Sequence, residues 1–167
     1  MNIRCVFVYF IAWLCLVNTS AYANHLTEPS GKERCPVCGM FVAKYATWLA
    51  QVQMENGQTY FFDGVKDMLA LYFEPHKYNS KSTVADIYVT DYYTQKWIDG
   101  KKAFYVTGSD AFGPMGHEFI PFDSLLAAQA FKKDHHGKHI LSFEQIDINL
   151  VNEMRMGMKG MKKMKHN

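Results

Sequence analysis

Two thiols and a thioether stand together in Cys35-Pro36-Val37-Cys38-Gly39-Met40. A CxxC pair has three uses in an oxidising compartment: a disulfide, a redox-active dithiol, or half of a metal site. The redox use needs a nucleophilic cysteine at a helix start, where the dipole lowers the thiol pKa. Here Gly39 follows the second cysteine directly and Phe41-Val42 reads as extended or irregular. A structural zinc knuckle wants a second CxxC or a closely spaced histidine pair, and neither is obvious. A disulfide across two residues would be local and contribute little loop entropy. Met40 points to the third use, because thiolate and thioether are soft donors that together select copper(I) over harder divalent ions. Cys38 and Met40 are two apart, so an extended segment would put both side chains on one face. Met40 as an ordinary core residue is the competing reading.

A second candidate is Gly113-Pro114-Met115-Gly116-His117. Met115 and His117 share the same spacing, and a thioether with an imidazole could complete a four-donor site with Cys38 and Met40. A single Met-x-His beside a turn is ordinary surface sequence. Its weight comes from coincidence with the thiol motif.

A third candidate is Met154 to Asn167, which holds five of the ten methionines (Met154, Met156, Met158, Met161, Met164) among glycines and five basic residues. So few other apolar residues predict a disordered segment. Its thioethers suit copper(I) scavenging, and its charge suits contact with an anionic membrane surface or partner. His135, His136 and His139 read as solvated residues after a helix.

These donors need a scaffold. The chain has 167 residues, 49% of them hydrophobic and 15% aromatic, enough for a packed core. A formal charge of +2 is too small to suggest a nucleic-acid surface. Thr47 to Met54 and Thr59 to Phe62 read as strands joined by Glu55-Asn56-Gly57-Gln58. Val65, Met68, Leu69 and Tyr72 carry helical spacing until Pro75, and Ala85 to Thr90 is a further strand. The second half repeats the order. Trp97-Ile98 and Ala103 to Thr107 flank Asp99-Gly100 as a hairpin, and Glu118 to Phe122 follows as a strand. A helix from Asp123-Ser124 to about Lys133 and a strand from His139 to Phe143 complete it. Tyr60-Phe61-Phe62-Asp63 echoes Ile120-Pro121-Phe122-Asp123. The expectation is an α+β chain of two small similar ββαβ units in tandem, residues 35–92 and 93–147. A flexible leader over 24–34 precedes them, and a basic, methionine-rich disordered tail over 148–167 follows.

Residues 1–23 read as a cleaved signal peptide: a positive start at Arg4, an uncharged apolar run from Cys5 to Val17, and Ala21-Tyr22-Ala23. That run falls short of the ~20 residues that cross a bilayer as a helix. Ala12-Trp13-Leu14 before Cys15 lacks the small residues that precede a lipidated cysteine, which argues against a lipid anchor. Cleavage leaves only Cys35 and Cys38, too few for a disulfide scaffold.

Two segments carry a family resemblance. Cys35-Pro-Val-Cys-Gly-Met40 resembles the cysteine–methionine motif of NosL proteins, and Pro114-Met115-Gly116-His117-Glu118-Phe119-Ile120-Pro121-Phe122 resembles their PMGxExIPF segment. Phe62-Asp63 and Asp134-His135-His136-Gly137 are similar too, so the resemblance covers roughly residues 33 to 146. It implies a periplasmic copper(I) chaperone, not an enzyme. Its implied partners are the ABC-type assembly machinery of nitrous oxide reductase, or the reductase itself. The ligands it implies are Cys38 or Cys35, Met40, Met115 and His117; the methionine-rich tail lies outside it. A periplasmic thiol–disulfide oxidoreductase using Cys35 and Cys38 is the alternative. A metal-detoxifying enzyme ranks third, for want of a further reactive cysteine.

Overall fold

Period-two alternation in one central strand explains how the two halves of the chain are joined. The computed structural model describes residues 26–78 and 81–164. The expected secretion segment, residues 1–23, lies outside the described residues. The first sheet contains β1 (Ala50–Met54), β2 (Thr59–Phe62), β3 (Val84–Thr90) and β4 (Trp97–Asp99), in the order β2-β1-β3-β4 with every pair antiparallel. The second contains β5 (Phe104–Thr107), β6 (Ile120–Phe122) and β7 (His139–Ser142), in the order β6-β5-β7. Helix α1 (Val65–Phe73) follows β2, and α2 (Leu125–Asp134) follows β6. The architecture is α+β.

In β5, Tyr105 and Val106 point to opposite faces, as neighbours in a strand must. Tyr105 joins a large core with Val52, Phe62, Met68, Leu69, Ile87 and Val89 from the first half. Val106 joins a smaller core with Ile120, Phe122, Ala128 and Phe131 beneath α2. The second sheet is therefore apolar on both faces. Each large apolar side chain so buried contributes about 1.5–3 kcal/mol. Tyr105 keeps its hydroxyl satisfied by donating to the Gly100 carbonyl at 2.6 Å.

The expected hairpin across Asp99-Gly100 is not formed. Strand β4 pairs with β3 in the first sheet, while β5 pairs with β6 and β7 in the second. The chain between them makes a helix-like turn: Lys102 and Ala103 donate to the Asp99 carbonyl, and Lys101 N–H donates to the Asp99 side chain. Gly100 N–H is taken by Ile87. With β4 paired to β3 and β5 in the other sheet, the first sheet runs to Asp99 instead of closing at residue 92.

The expected disordered tail is corrected as far as Met164; residues 165–167 lie outside the described residues. Residues Ile148–Met164 form helix α3. Asp147 starts it by accepting from Leu150 N–H at 2.8 Å, the work of an N-cap. Val151 is buried, and Leu150 and Met154 pack on the large core. The described part of the leader is docked too. Arg34 bridges to Phe41, its guanidinium lies 3.8 Å above the Phe41 ring, and Glu28 accepts from the Trp97 indole.

Candidate metal centre

Helix α1 and the turn carrying the thiols meet at a cluster of polar side chains beside the large core. The turn is closed by Gly39 N–H donating to the Cys35 carbonyl and Cys35 N–H donating to the Met40 carbonyl, both at 2.9 Å. Gly39 sits at φ +79°, the left-handed region that favours glycine. Cys35 is buried, Cys38 is half-buried, and both are free thiols.

Two carboxylates face them. Asp63 lies just before the extended Gly64 that caps α1, and Asp67 sits in the first turn of the helix; the thiols meet both. The Cys38 thiol donates to Asp63 Oδ1 at 3.1 Å, and Cys35 Sγ lies 3.7 Å from Asp67 Oδ2. One donor atom from each of Cys35, Cys38, Asp63 and Asp67 lies within 4.8 Å of the others. Asp63 Oδ2 is buried without a hydrogen-bond partner among the described residues. A buried orphan oxygen of this kind is costly, and a bound cation would satisfy it. Arg155 of α3 lies 3.5 Å from Asp67 Oδ1 and also donates to the Tyr78 hydroxyl.

The local electrostatics keep the Cys38 thiol protonated when the cation is absent. The adjoining Cys35 sulfur and burial push the Cys38 thiol far up, with Asp63 adding to the effect. Burial also raises Asp67, opposed by the Cys38 thiol and by Arg155. A redox-active cysteine needs the opposite shift.

Lys66 ties the second motif to the same helix start. Its ammonium donates to the carbonyls of Met115 at 3.1 Å and His117 at 2.6 Å. Glu118 accepts from the N–H groups of Lys66 at 2.6 Å and Phe119 at 3.0 Å, so a carboxylate from the second half caps α1. Gly64 leaves the room this needs, since a Cβ there would run into the Glu118 carboxylate. Fully buried, Glu118 is raised to about 7 by burial, with the Lys66 charge holding it lower than burial alone would.

Of the residues singled out from sequence, Cys35 and Cys38 come together directly. Met40, Met115 and His117 are each half-buried, and the His117 ring rests 4.8 Å from that of Phe112. The expected extended geometry fails at both pairs. Gly39 between Cys38 and Met40, and Gly116 between Met115 and His117, have φ of +79° and +85°, so neither pair lies on a strand face. Sequence reasoning missed Asp63 and Asp67 as members of the site. Their signal was two carboxylates four apart at a helix start, where the dipole favours negative charge.

Residues 26–151 match the NosL family profile. The chain belongs to the NosL family. A relative from Stutzerimonas stutzeri, named a copper-binding lipoprotein NosL, is 29% identical over 129 residues. That alignment takes in 72% of this chain and 65% of the relative, so the chain spans just under two thirds of that NosL protein's length. The crystal structure of the copper chaperone NosL from Shewanella denitrificans superposes with a TM-score of 0.65. It is 20% identical and covers 74% of this chain and 96% of that one, a likeness of fold. The solution structure of apo-NosL from Achromobacter cycloclastes is 32% identical over 61% of this chain and 87% of that one, with a TM-score of 0.47. The family match ends three residues before Met154, so the methionine-rich part of α3 lies beyond it.

Proposed function

We propose that this NosL-family chain is a periplasmic copper(I) carrier that supplies copper for the maturation of nitrous oxide reductase, through its assembly complex or directly. The single observation that carries the reading is the pair of free thiols set against two buried carboxylates, one of them with an orphan oxygen. Copper(I) prefers thiolate and thioether to carboxylate. Cys35 and Cys38 accordingly hold the ion, and Met40, Met115 and His117 are the candidates to complete its coordination. Asp63 and Asp67 orient the thiols and place negative charge beside the cation. The names of the Stutzerimonas and Shewanella relatives support copper as the cargo. A carrier releases what it binds and needs no catalytic residue.

Anaerobic titration of the reduced protein with copper(I) against a colorimetric competitor tests this. One tight equivalent is expected, and it disappears in the Cys35→Ser/Cys38→Ser variant. Equal affinity in the two proteins refutes the reading. Two sulfurs and two carboxylates are also a set that zinc accepts. Zinc displacing copper(I) from the reduced protein at equal concentration would make that second reading the better one.

A further inference from the structure

Arg155 of α3 sets a positive charge against the four-donor cluster from outside it. It follows buried Val151 by four residues, one helical turn, so both side chains lie on the same side of α3. Its Nε is 3.5 Å from Asp67 Oδ1, and its Nη1 donates to the Tyr78 hydroxyl at 3.0 Å. Two nitrogens of one planar fork are thereby held by two partners, which fixes where the charge points. Among the described residues Asp67 is its only carboxylate partner.

Asp67 is in turn engaged at both oxygens, Oδ1 by Arg155 and Oδ2 by the Cys35 thiol at 3.7 Å. The second cation nearby, Lys66, donates to the carbonyls of Met115 and His117 and offsets the charge of buried Glu118. Burial raises the Asp67 carboxyl, and of the two cations that oppose this, Arg155 acts more strongly than Lys66.

Two sulfurs and two carboxylates would by themselves suit zinc(II). Arg155 alters that balance in two ways. It ties up Asp67 Oδ1, and its charge repels a divalent ion twice as strongly as a monovalent one. One donor atom from each of the four residues lies within 4.8 Å of the others, so an ion among them sits within a Debye length, about 8–10 Å, of the guanidinium. The partners of Arg155 are oxygens, which leaves to the ion the sulfurs that copper(I) prefers.

We propose that Arg155 is a specificity-determining residue: by pairing with Asp67 it turns a cluster that would accept zinc(II) into one that favours soft monovalent ions. The inference rests on the cysteine cluster being the copper(I) site proposed above. The family match ends at residue 151, so the device belongs to the part of α3 beyond it. The Arg155 side chain is 28% exposed, so water screens part of its charge and the effect is on the order of tenfold, not thousands.

The test titrates the reduced full chain anaerobically with copper(I) and with zinc(II), each against a colorimetric competitor. Both are read at rising pH until the ratio of the two affinities is constant, so that proton uptake by Asp67 does not enter. Arg155→Met and Arg155→Gln, both neutral, are each expected to raise the zinc(II)-to-copper(I) affinity ratio by about tenfold. Arg155→Lys keeps the charge and is expected to stay within about threefold of the unsubstituted ratio. An arginine that only anchors α3 would, when replaced, weaken both ions alike and leave the ratio unchanged, and that result overturns the proposal. So does a ratio that rises as far in the lysine variant as in the neutral ones. If the unsubstituted protein holds zinc(II) more tightly than copper(I), the carrier function fails, while the change in ratio between variants still decides the role of Arg155.

Discussion

Lys66 donates to the carbonyl of His117 at 2.6 Å, so the residue beside Asp67 also holds the loop that ends in His117. The same lysine sits next to buried Glu118, whose carboxylate its charge helps to keep ionised. Lys66→Met keeps the length of the side chain and removes the ammonium. Without that charge Glu118 takes up a proton, and the carbonyls of Met115 and His117 lose a donor, a cost of about 1–3 kcal/mol in urea unfolding. Adding Glu118→Gln is expected to recover part of the loss. A strictly additive double variant would show that Lys66 acts on the loop alone.

Glu118 also sets a pH dependence. Its carboxyl is raised from 4.5 to about 7, so between those values the folded chain binds a proton that the unfolded chain has lost. Stability of the metal-free protein is therefore greatest below pH 4.5 as far as this group is concerned. It falls as pH rises to about 7 and then levels, a loss of roughly 3 kcal/mol. Asp67, raised by burial, contributes in the same direction. Unfolding curves from pH 4 to 8 should show a clearly smaller decline in Glu118→Gln, and an unchanged decline would place the titrating group elsewhere.

The raised Cys38 thiol predicts slow chemistry without metal. Free cysteine is a few per cent thiolate at neutral pH. Cys38 is expected to react with iodoacetamide more slowly than that at pH 7. Cys35→Ala removes the largest cause of the shift and should speed the reaction; Asp63→Asn should do so less. Reaction faster than free cysteine would instead mark an activated thiol and favour the oxidoreductase reading.

The raised Cys38 thiol makes copper binding a proton-releasing step. Apparent affinity should rise about tenfold per pH unit for each proton displaced. Competition titrations at pH 6, 7 and 8 measure this slope. A flat response would mean that thioether and imidazole, not thiol, hold the ion.

Strand, helix and thiol motif were legible because each leaves a local signal. Val65, Met68, Leu69 and Tyr72 repeat at helical spacing, and α1 spans Val65–Phe73. The partner of β4 was not legible, because Asp99-Gly100 looks like a hairpin turn and only packing assigns Trp97 and Ile98 to the first core. Helix α3 was hidden by its composition. Asp147 and the short apolar set Ile148, Leu150 and Val151 start it, while the glycines and lysines beyond read as irregular. Asp63 and Asp67 escaped notice as site members because a carboxylate at a helix start has an ordinary structural use. Only the fold brings the thiols, 25 and 32 residues away, against them.

X-ray absorption at the copper edge, on reduced protein loaded anaerobically with one copper(I) equivalent, tests the central claim most directly. The account predicts at least two sulfur neighbours at the metal, lost when Cys35 and Cys38 are both replaced by serine. A spectrum with only nitrogen and oxygen neighbours, or one unchanged in that variant, would contradict it.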